Sequence, residues 1–352
     1  MPLARLLTVL SMMFLPAVAL AQATPAEVAA LVAAAKKEGS VNSVGMPDQW
    51  ANWQGAWAQL HSLYGISHRD VDLSSAQEVA KFAAEKNHAT SDIGDVGQSF
   101  GPIALKAGVT QPYKPSHWNE IPAWARDPDG HWMVAYTGTI AFASNNKLVK
   151  NPPKTWADLL KGKYKVSIGE VGVAAQANSA LLAAAIASGG SESDLGPGLK
   201  LFAELARQGR LSMTDPVVSN MEKGEVEVAL LWDFNALSYR DQIDRTLFTV
   251  SIPADGSVTA GYSTIINKYA QHPNAAKLAR EYIFSDAGQI NLARGHARPI
   301  RGTLVLPADV DALLLPAAQY TKARPIRDFA AWESTTRAIP RQWQEAVLMY
   351  VK

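Results

Sequence analysis

Between Val41 and Ala107 the chain passes through three units of the same build, each a short apolar run, a polar or glycine-bearing break and a stretch with helical spacing. Val41 to Val44 leads through Gly45-Met46-Pro47-Asp48 to a helical period from Trp50 to Leu63. Val71 to Leu73 leads through Ser74-Ser75 to Ala76–Glu85, and Asp92 to Val96 leads through Gly97-Gln98-Ser99 to a short helix from Pro102 to Ala107. Strands alternating with helices build a parallel sheet, and the ligand crevice of such a sheet lies at the carboxyl ends of its strands. The expected fold class is therefore α/β. Ahead of the first strand, Thr24 as N-cap, Pro25 at the first helical position, Glu27 three residues on and Gly39 as the stop frame a helix.

The segment HWMVAYTGTIAFASNNKLV, residues 131 to 149, breaks this rhythm with a long β-rich run, as expected of a strand that carries the chain out of its first half. Beyond Thr155, a second N-cap, the chain returns to strand and helix. Tyr164 to Ile168 reads as a strand, Gly169 to Val173 as a glycine-rich loop, Ala174 to Ala187 as an alanine-rich helix stopped by Gly189-Gly190, and residues 199 to 208 as a further helix. EVEVALLWDFN, residues 225 to 235, reads as a strand followed by a loop. Thr249 to Ile252 is expected to bring the chain back to the first half, where VTAGYSTIIN is a strand and Asn274 to Phe284 a helix.

The amino terminus has the order of an export signal: Arg5, an apolar run from Leu6 to Leu15, and small residues at Ala19-Leu20-Ala21 or Ala21-Gln22-Ala23. Pro16 interrupts a run already shorter than the ~20 residues of a membrane-spanning helix. Cleavage near residue 21 or 23 is the expectation, and with it a working place outside the cytoplasm. There is no cysteine for a disulfide, a thiolate nucleophile or a lipid anchor. With 33 basic and 32 acidic residues, removal of Arg5 leaves the mature chain neutral. Neutrality argues against nucleic acid or an anionic membrane as a partner.

The pattern resembles an extracellular, periplasmic solute-binding protein of an ABC importer, in the group that includes ferric-ion, polyamine, thiamine and sugar-phosphate or phosphonate binders. The residues that carry the resemblance are the export signal, AYTGTIAFASNNKLV followed by PPKTWADLL, KVSIGEVG, VEVALLW, and AGYSTIINKYAQHPNAAKLAREYIFSDAGQ running on into GHARPIR. It implies a two-lobe periplasmic-binding-protein fold of type II, each lobe a mixed sheet flanked by helices, joined by crossing hinge strands. Mapped onto this chain, residues 1–23 are the signal peptide, 24–140 with 253–300 lobe one, and 141–252 with 301–352 lobe two. The implied function is capture of a small polar organic solute, amine-bearing, zwitterionic or phosphorylated, by hinge closure in the periplasm. The implied partners are an ABC permease in the inner membrane and its ATPase, for a monomer that holds no cofactor or metal.

Candidate ligand contacts follow from the loops at strand ends. In the first loop Asp48 could pair with a cation, Gln49 accompanies it, and Trp50 could stack on a ring or an ammonium; the alternative is that Asp48 caps the next helix and Trp50 and Trp53 pack inside. Ser74 and Ser75 end the second strand, and Gln98 and Ser99 the third, side chains that suit ligand oxygens and equally cap helices. Tyr136 and Thr137 are the candidates on the crossing strand. In the second half, Gly172, Val173, Ala174 and Gln176 surround a helix start whose amides suit a carboxylate or phosphate. Trp232, Asp233 and Asn235 bring an aromatic face, a carboxylate and an amide together, with Asp233 as an ammonium partner or merely a cap, and Tyr262 and Ser263 complete the set.

Two other readings bear on these residues. Ferric binders of the resembled group carry an adjacent tyrosine pair after the equivalent of VEVALL, whereas this chain reads WDFNALSY, with Tyr239 displaced, so hard Fe(III) loses its phenolates. The seven histidines show no metal spacing. A secreted hydrolase is the alternative from another class, yet there is no G-x-S-x-G, H-E-x-x-H or P-loop pattern. Asp92 with Asp95 and Asp127 with Asp129 read as solvated acidic loops or caps.

Overall fold

The computed structural model describes residues 22–351. The leader and its Ala19-Leu20-Ala21 pattern lie outside the described residues, and the Ala21-Gln22-Ala23 pattern straddles their edge. The chain opens with α1 (Pro25–Glu38), β1 (Ser40–Val44), α2 (Trp53–Tyr64), β2 (Ser67–Val71), α3 (Ser75–Ala84), β3 (Ile93–Gly97), α4 (Phe100–Lys106), β4 (Thr110–Gln111) and β5 (Trp132–Asn145). It continues with α5 (Trp156–Lys161), β6 (Val166–Ser167), α6 (Ala175–Ala187), α7 (Gly196–Arg207), β7 (Leu211–Ser212), α8 (Val218–Glu222), β8 (Val228–Trp232), α9 (Asp233–Ile243) and β9 (Phe248–Ser251). The last stretch is β10 (Ser257–Asn267), α10 (Pro273–Phe284), α11 (Asp286–Arg294), β11 (Arg298–Pro299), α12 (Ala308–Asp311), β12 (Ala323–Pro325) and α13 (Phe329–Ala346).

The strands lie in the order β2-β1-β3-β10-β5-β8-β6-β7, with β4 and β12 on β10 and β9 and β11 on β5. The sheet is mixed: β1 pairs in parallel with β2 and β3, and β10 runs antiparallel to β3 and β5. The long strand β5 joins the two halves. Its Trp132–Thr139 stretch is in register with β10, and from Ile140 to Ser144 it pairs instead with β8. The β-rich run seen in the sequence is thus buried along almost its whole length, which is why it shows no alternation of polar and apolar residues.

Helices cover both faces of the first half. Val44, Val79, Phe82, Val96 and Ile265 form one apolar cluster with α3 and α4, while Trp53, Trp57 and Leu60 of α2 join Val41 and Ile93 in another. The carboxyl-terminal stretch touches both halves. Arg301 bonds Glu120 and Asp286 at 2.6 Å each, β12 lies on β10, and Trp343 of α13 packs edge-on against Phe202 of α7 at 5.5 Å.

Three local expectations change. The second strand is Ser67–Val71 rather than 71–73, because this edge strand, SHRDV, is polar and has no apolar run to mark it. The residues after VEVALL begin α9 instead of a loop: Asp233 sits at the helix start, where its carboxylate accepts the Phe234 N–H at 2.9 Å and suits the helix dipole. Asp92, Asp95 and Asp127 are buried, at 1%, 2% and 7% exposure, rather than solvated. Asp92 lies between Asn42 and His272, bonding the Asn42 N–H at 2.8 Å and the His272 ring at 2.9 Å, and Asp95 belongs to β3 itself.

Candidate functional site

The loop after β1 is built to hold one side chain in place. Ala51 and Asn52 both adopt left-handed backbone, with φ of 48° and 58°, a conformation that costs free energy in residues other than glycine. Asn52 spends its amide on Asn291, donating to Oδ1 at 2.7 Å, while Asn291 Nδ2 donates back to the Asn52 carbonyl at 3.0 Å. Gly295 backs this arrangement so closely that a Cβ there would lie 2.3 Å from the Ala51 carbonyl carbon. Neighbouring Trp50 is thereby fixed against Tyr262 at 5.7 Å and Phe234 at 6.0 Å, both edge-on. Asp48 and Gln49 are exposed, and the N-cap of α2 is Asn52, so Asp48 does not cap it.

Four rings from four segments meet here. Tyr136 of β5 stacks on Tyr262 of β10 at 5.7 Å and 11°, and Phe234 of α9 meets Tyr136 edge-on at 5.5 Å. A bulge in β5 opposite Tyr262 and Ser263 brings this stack about. The extra residue, Ala135, has its carbonyl bonded by the buried Gln289 amide at 2.9 Å, so the irregularity leaves no orphan acceptor. The Tyr136 hydroxyl donates to Asp95 at 2.7 Å. Phe234 and Asp95 were not among the expected contacts. The signal available for Asp95 was a carboxylate within an otherwise apolar and glycine strand, IGDVG.

On the other side stand the ends of α3 and β3. Ser74 is exposed, its N–H and hydroxyl both donating to Gln77 at 2.9 Å, so it serves the start of α3. Ser75 accepts the Gly97 N–H at 2.9 Å, Gln98 is buried, and Ser99 precedes α4 half-buried. A Cβ at Gly97 would touch the Cβ of Ala175 at 3.5 Å, so the end of β3 faces the start of α6 across the two halves.

That helix start differs from expectation in one respect. Gly172 donates its N–H to Asn178 at 2.7 Å, and the amides of Val173 and Ala174 bond the Glu170 carbonyl at 3.2 and 2.9 Å. These three amides are consumed by the loop itself, because Gly172 turns at φ 93° against Pro340 of α13. The anion-binding potential lies one turn further on. Ala174 is the N-cap and provides no side-chain cap, so the first-turn amides of α6 have no helical acceptor. Gln176 in that turn accepts the Trp232 N–H at 2.8 Å and ties α6 to the start of α9.

The Asp233 carboxylate is 1% exposed and fully engaged inside the protein, which is its capping alternative. One oxygen accepts the Thr139 and Phe234 amides at 2.9 Å each, and the other accepts the Tyr320 hydroxyl. Asp233→Ala strands those donors and is expected to cost about 2–3 kcal/mol of stability in the unliganded protein, read by chemical denaturation, whereas Asp233→Asn retains an acceptor for the amides. Trp232 and Asn235 are buried beside it at 2% exposure each, Asn235 reaching Gln176 at 3.5 Å. Thr137 is held in the ladder opposite Gly261, and Ser263 is fully buried.

The residues from 89 to 335 match the family model for bacterial extracellular solute-binding proteins. A probable ABC transporter periplasmic-binding protein of Sinorhizobium fredii is 24% identical over 226 residues, 61% of this chain and 62% of its own length. Among solved structures, the periplasmic binding protein AfuA of Actinobacillus pleuropneumoniae, with fructose-6-phosphate bound, superimposes with a TM-score of 0.72 at 17% identity, over 88% of this chain and 98% of AfuA. Iron-bound HitA of Pseudomonas aeruginosa superimposes with a TM-score of 0.68 at 16% identity, over 87% of this chain and 99% of HitA. At such identities the structural likeness speaks for the fold, a periplasmic-binding-protein fold. With the family model covering most of its length, this chain belongs to the bacterial extracellular solute-binding proteins.

Proposed function

We propose that this protein is the periplasmic solute-binding component of an ABC importer, which captures a small polar organic solute between two lobes and presents it to a membrane permease and its ATPase. The observation that carries the solute class is the meeting of Trp50, Tyr136 and Tyr262 with Phe234 beside the uncapped start of α6. Aromatic faces suit methylenes or an ammonium, and free helix amides suit a carboxylate or phosphate. An amine-bearing, zwitterionic or phosphorylated solute uses one or both.

The lobes in this reading are residues 24–140 with 253–300 and residues 141–252 with 301–352, hinged where β5 changes partner and where β9 leads into β10. No helix among the described residues is long and apolar enough to cross a membrane. Closure on ligand is expected to lower the radius of gyration in small-angle scattering; an unchanged value at saturation argues against a clamp. Trp50→Ala is expected to weaken binding about 5–30-fold by calorimetry, the loss of one aromatic contact to a desolvated solute.

The ferric alternative is tested in the same screen. The stretch after VEVALL, WDFNALSY, has no adjacent tyrosine pair, and the Tyr136 hydroxyl is committed to Asp95. Ferric citrate is therefore expected to leave the melting temperature unshifted, while amines, aminophosphonates and sugar phosphates are compared for stabilisation.

The hydrolase alternative has one constellation to consider. Ser40, His272 and Asp92 lie in line, with 3.0 Å from the Ser40 hydroxyl to Nε2 and 2.9 Å from Nδ1 to the carboxylate. Glu38 occupies the adjoining amides of α10, accepting from Asn274 and Ala275 at 3.2 and 2.7 Å, where an oxyanion would need donors. This supports a brace that starts α10 rather than a nucleophile.

A further inference from the structure

The first half holds two buried carboxyl groups, Glu78 and Asp95, and a half-buried one, Asp70, that no cationic side chain among the described residues pairs with. Glu78 of α3 is 1% exposed and wedged against β1 and β3, where a Cβ at Gly45 would fall 2.3 Å from Oε1 and one at Gly94 2.7 Å from Oε2. Its Oε2 accepts the Asp95 N–H at 3.2 Å. Asp95 is 2% exposed; Oδ2 receives the Tyr136 hydroxyl, and Oδ1 is buried without a partner. Asp70 of β2 accepts from the Ser43 hydroxyl and from the Met46 N–H at 3.1 Å. Among the described residues none of the three enters an ion pair.

What surrounds Asp95 is neutral or acidic on every side. Tyr136 faces it from β5, Tyr262 from β10, Trp53 from α2, Glu78 from α3 and Asp70 from β2. His68, hydrogen-bonded to Ser43 at 2.8 Å and stacked on Trp57 at 3.8 Å, is pushed down to about 4 by burial and brings no charge at neutral pH. An ionised carboxylate in such a place is strongly disfavoured unless a cation joins it. Burial accordingly pushes Asp95 up to about 8 and Glu78 well above the carboxylate range. Asp95 is linked to the candidate site by Tyr136, which bonds it and stacks on Tyr262, and aromatic faces attract cations.

Resting on the solute-binding reading above, we propose that the solute carries an organic ammonium group, that it is held against the Tyr136–Tyr262 stack, and that its arrival expels the Asp95 proton to solvent. The O–H bond of the carboxylic acid breaks, the carboxylate keeps the electron pair, and the ammonium charge compensates it through the tyrosine layer. Tyr136 continues to donate to Oδ2. Asp95 is on this account a positioning and charge-tuning residue beneath the site.

The probes are putrescine, choline and aminoethylphosphonate, with glycerol phosphate as the anion without an ammonium. Titration calorimetry in phosphate and in Tris buffer at neutral pH reads proton release from the difference in apparent enthalpy. An ammonium probe is expected to bind with one proton released, and its affinity to rise by up to about tenfold per pH unit below pH 8 and level off above it. Asp95→Asn, nearly isosteric, is expected to bind without release and with a flat pH profile. Tyr136→Phe, which leaves Asp95 with no donor from that hydroxyl, is expected to move the levelling-off to higher pH. Binding of ammonium probes with no proton released, or release that persists in Asp95→Asn, overturns the proposal. So does stabilisation by glycerol phosphate with none from the three ammonium probes, an outcome that leaves the solute-binding reading standing. Failure of every solute in the wider screen to bind or to compact the protein would instead count against that reading as well.

Discussion

The share of stability that Asp95 gives the unliganded protein is expected to fall as pH rises from about 4 to 8, against an opposite rise from His68, which burial holds at about 4, and Asp95→Asn is expected to remove the falling share. In the unfolded chain Asp95 ionises near the ordinary aspartate value, whereas in the folded protein burial holds its proton until about 8. Between those limits the folded state binds one more proton at Asp95 than the unfolded state, so that share of stability falls with pH; above both values the difference is constant. The full loss is on the order of 6 kcal/mol, reduced to the extent that the fold relaxes around the charge. Melting temperatures of both proteins at pH 5 and pH 8.5 read it directly. Equal slopes for wild type and Asp95→Asn would show that another group carries the dependence. At lower pH the sign reverses, because Glu120 and Glu192, each held at about 2 by Thr303, His117 and Arg301 or by Arg324 and the Arg327 amide, give stability that is lost as pH falls through that value.

Arg280→Met is expected to be the most damaging substitution outside the aromatic core. The guanidinium is fully buried on α10 and donates to the carbonyls of Gly130 and Thr264 at 2.9 Å, Tyr113 at 3.3 Å and His131 at 3.5 Å. It thereby ties the loop before β5 to β10, the two strands that carry the tyrosine stack. Methionine fills much of the volume and satisfies none of the acceptors. A cost of about 3–5 kcal/mol, equivalent to a fall in melting temperature on the order of 10 °C, is expected from stranding them. Arg280→Lys, which can reach only some of these carbonyls, is expected to fall between the two. A melting temperature within a degree or two of wild type for Arg280→Met would show that water replaces the guanidinium.

Much of the architecture was legible because it is written in local terms. Thr24 and Thr155 are capping residues with an acid three positions on, and both caps form, their hydroxyls accepting from Glu27 and Asp158. The long apolar run at β5 could only be a buried strand, and it is the one that joins the halves. The polar edge strand β2 was misplaced for the converse reason, since solvent on its exposed side removes the pattern that marks a strand. Of the candidate contacts, Trp50, Tyr136 and Tyr262 meet, and Gln176 stands in the first turn of α6.

The sequence by itself determined the alternation of strands and helices, the crossing strand and the loops from which a site could be made, because caps, turns and burial patterns act between near neighbours in the chain. It did not determine which carboxylate is spent and which is held in reserve. Asp95 stands inside a strand and Asp233 directly after one, and no residue adjacent to either tells which will find its donors. Asp233 finds Thr139 and Tyr320, 94 and 87 positions away, and is satisfied; Asp95 finds Tyr136, 41 positions away, and no cation. The tertiary structure decided this, since the ionisation of a buried acid depends on donors and charges brought to it by distant segments.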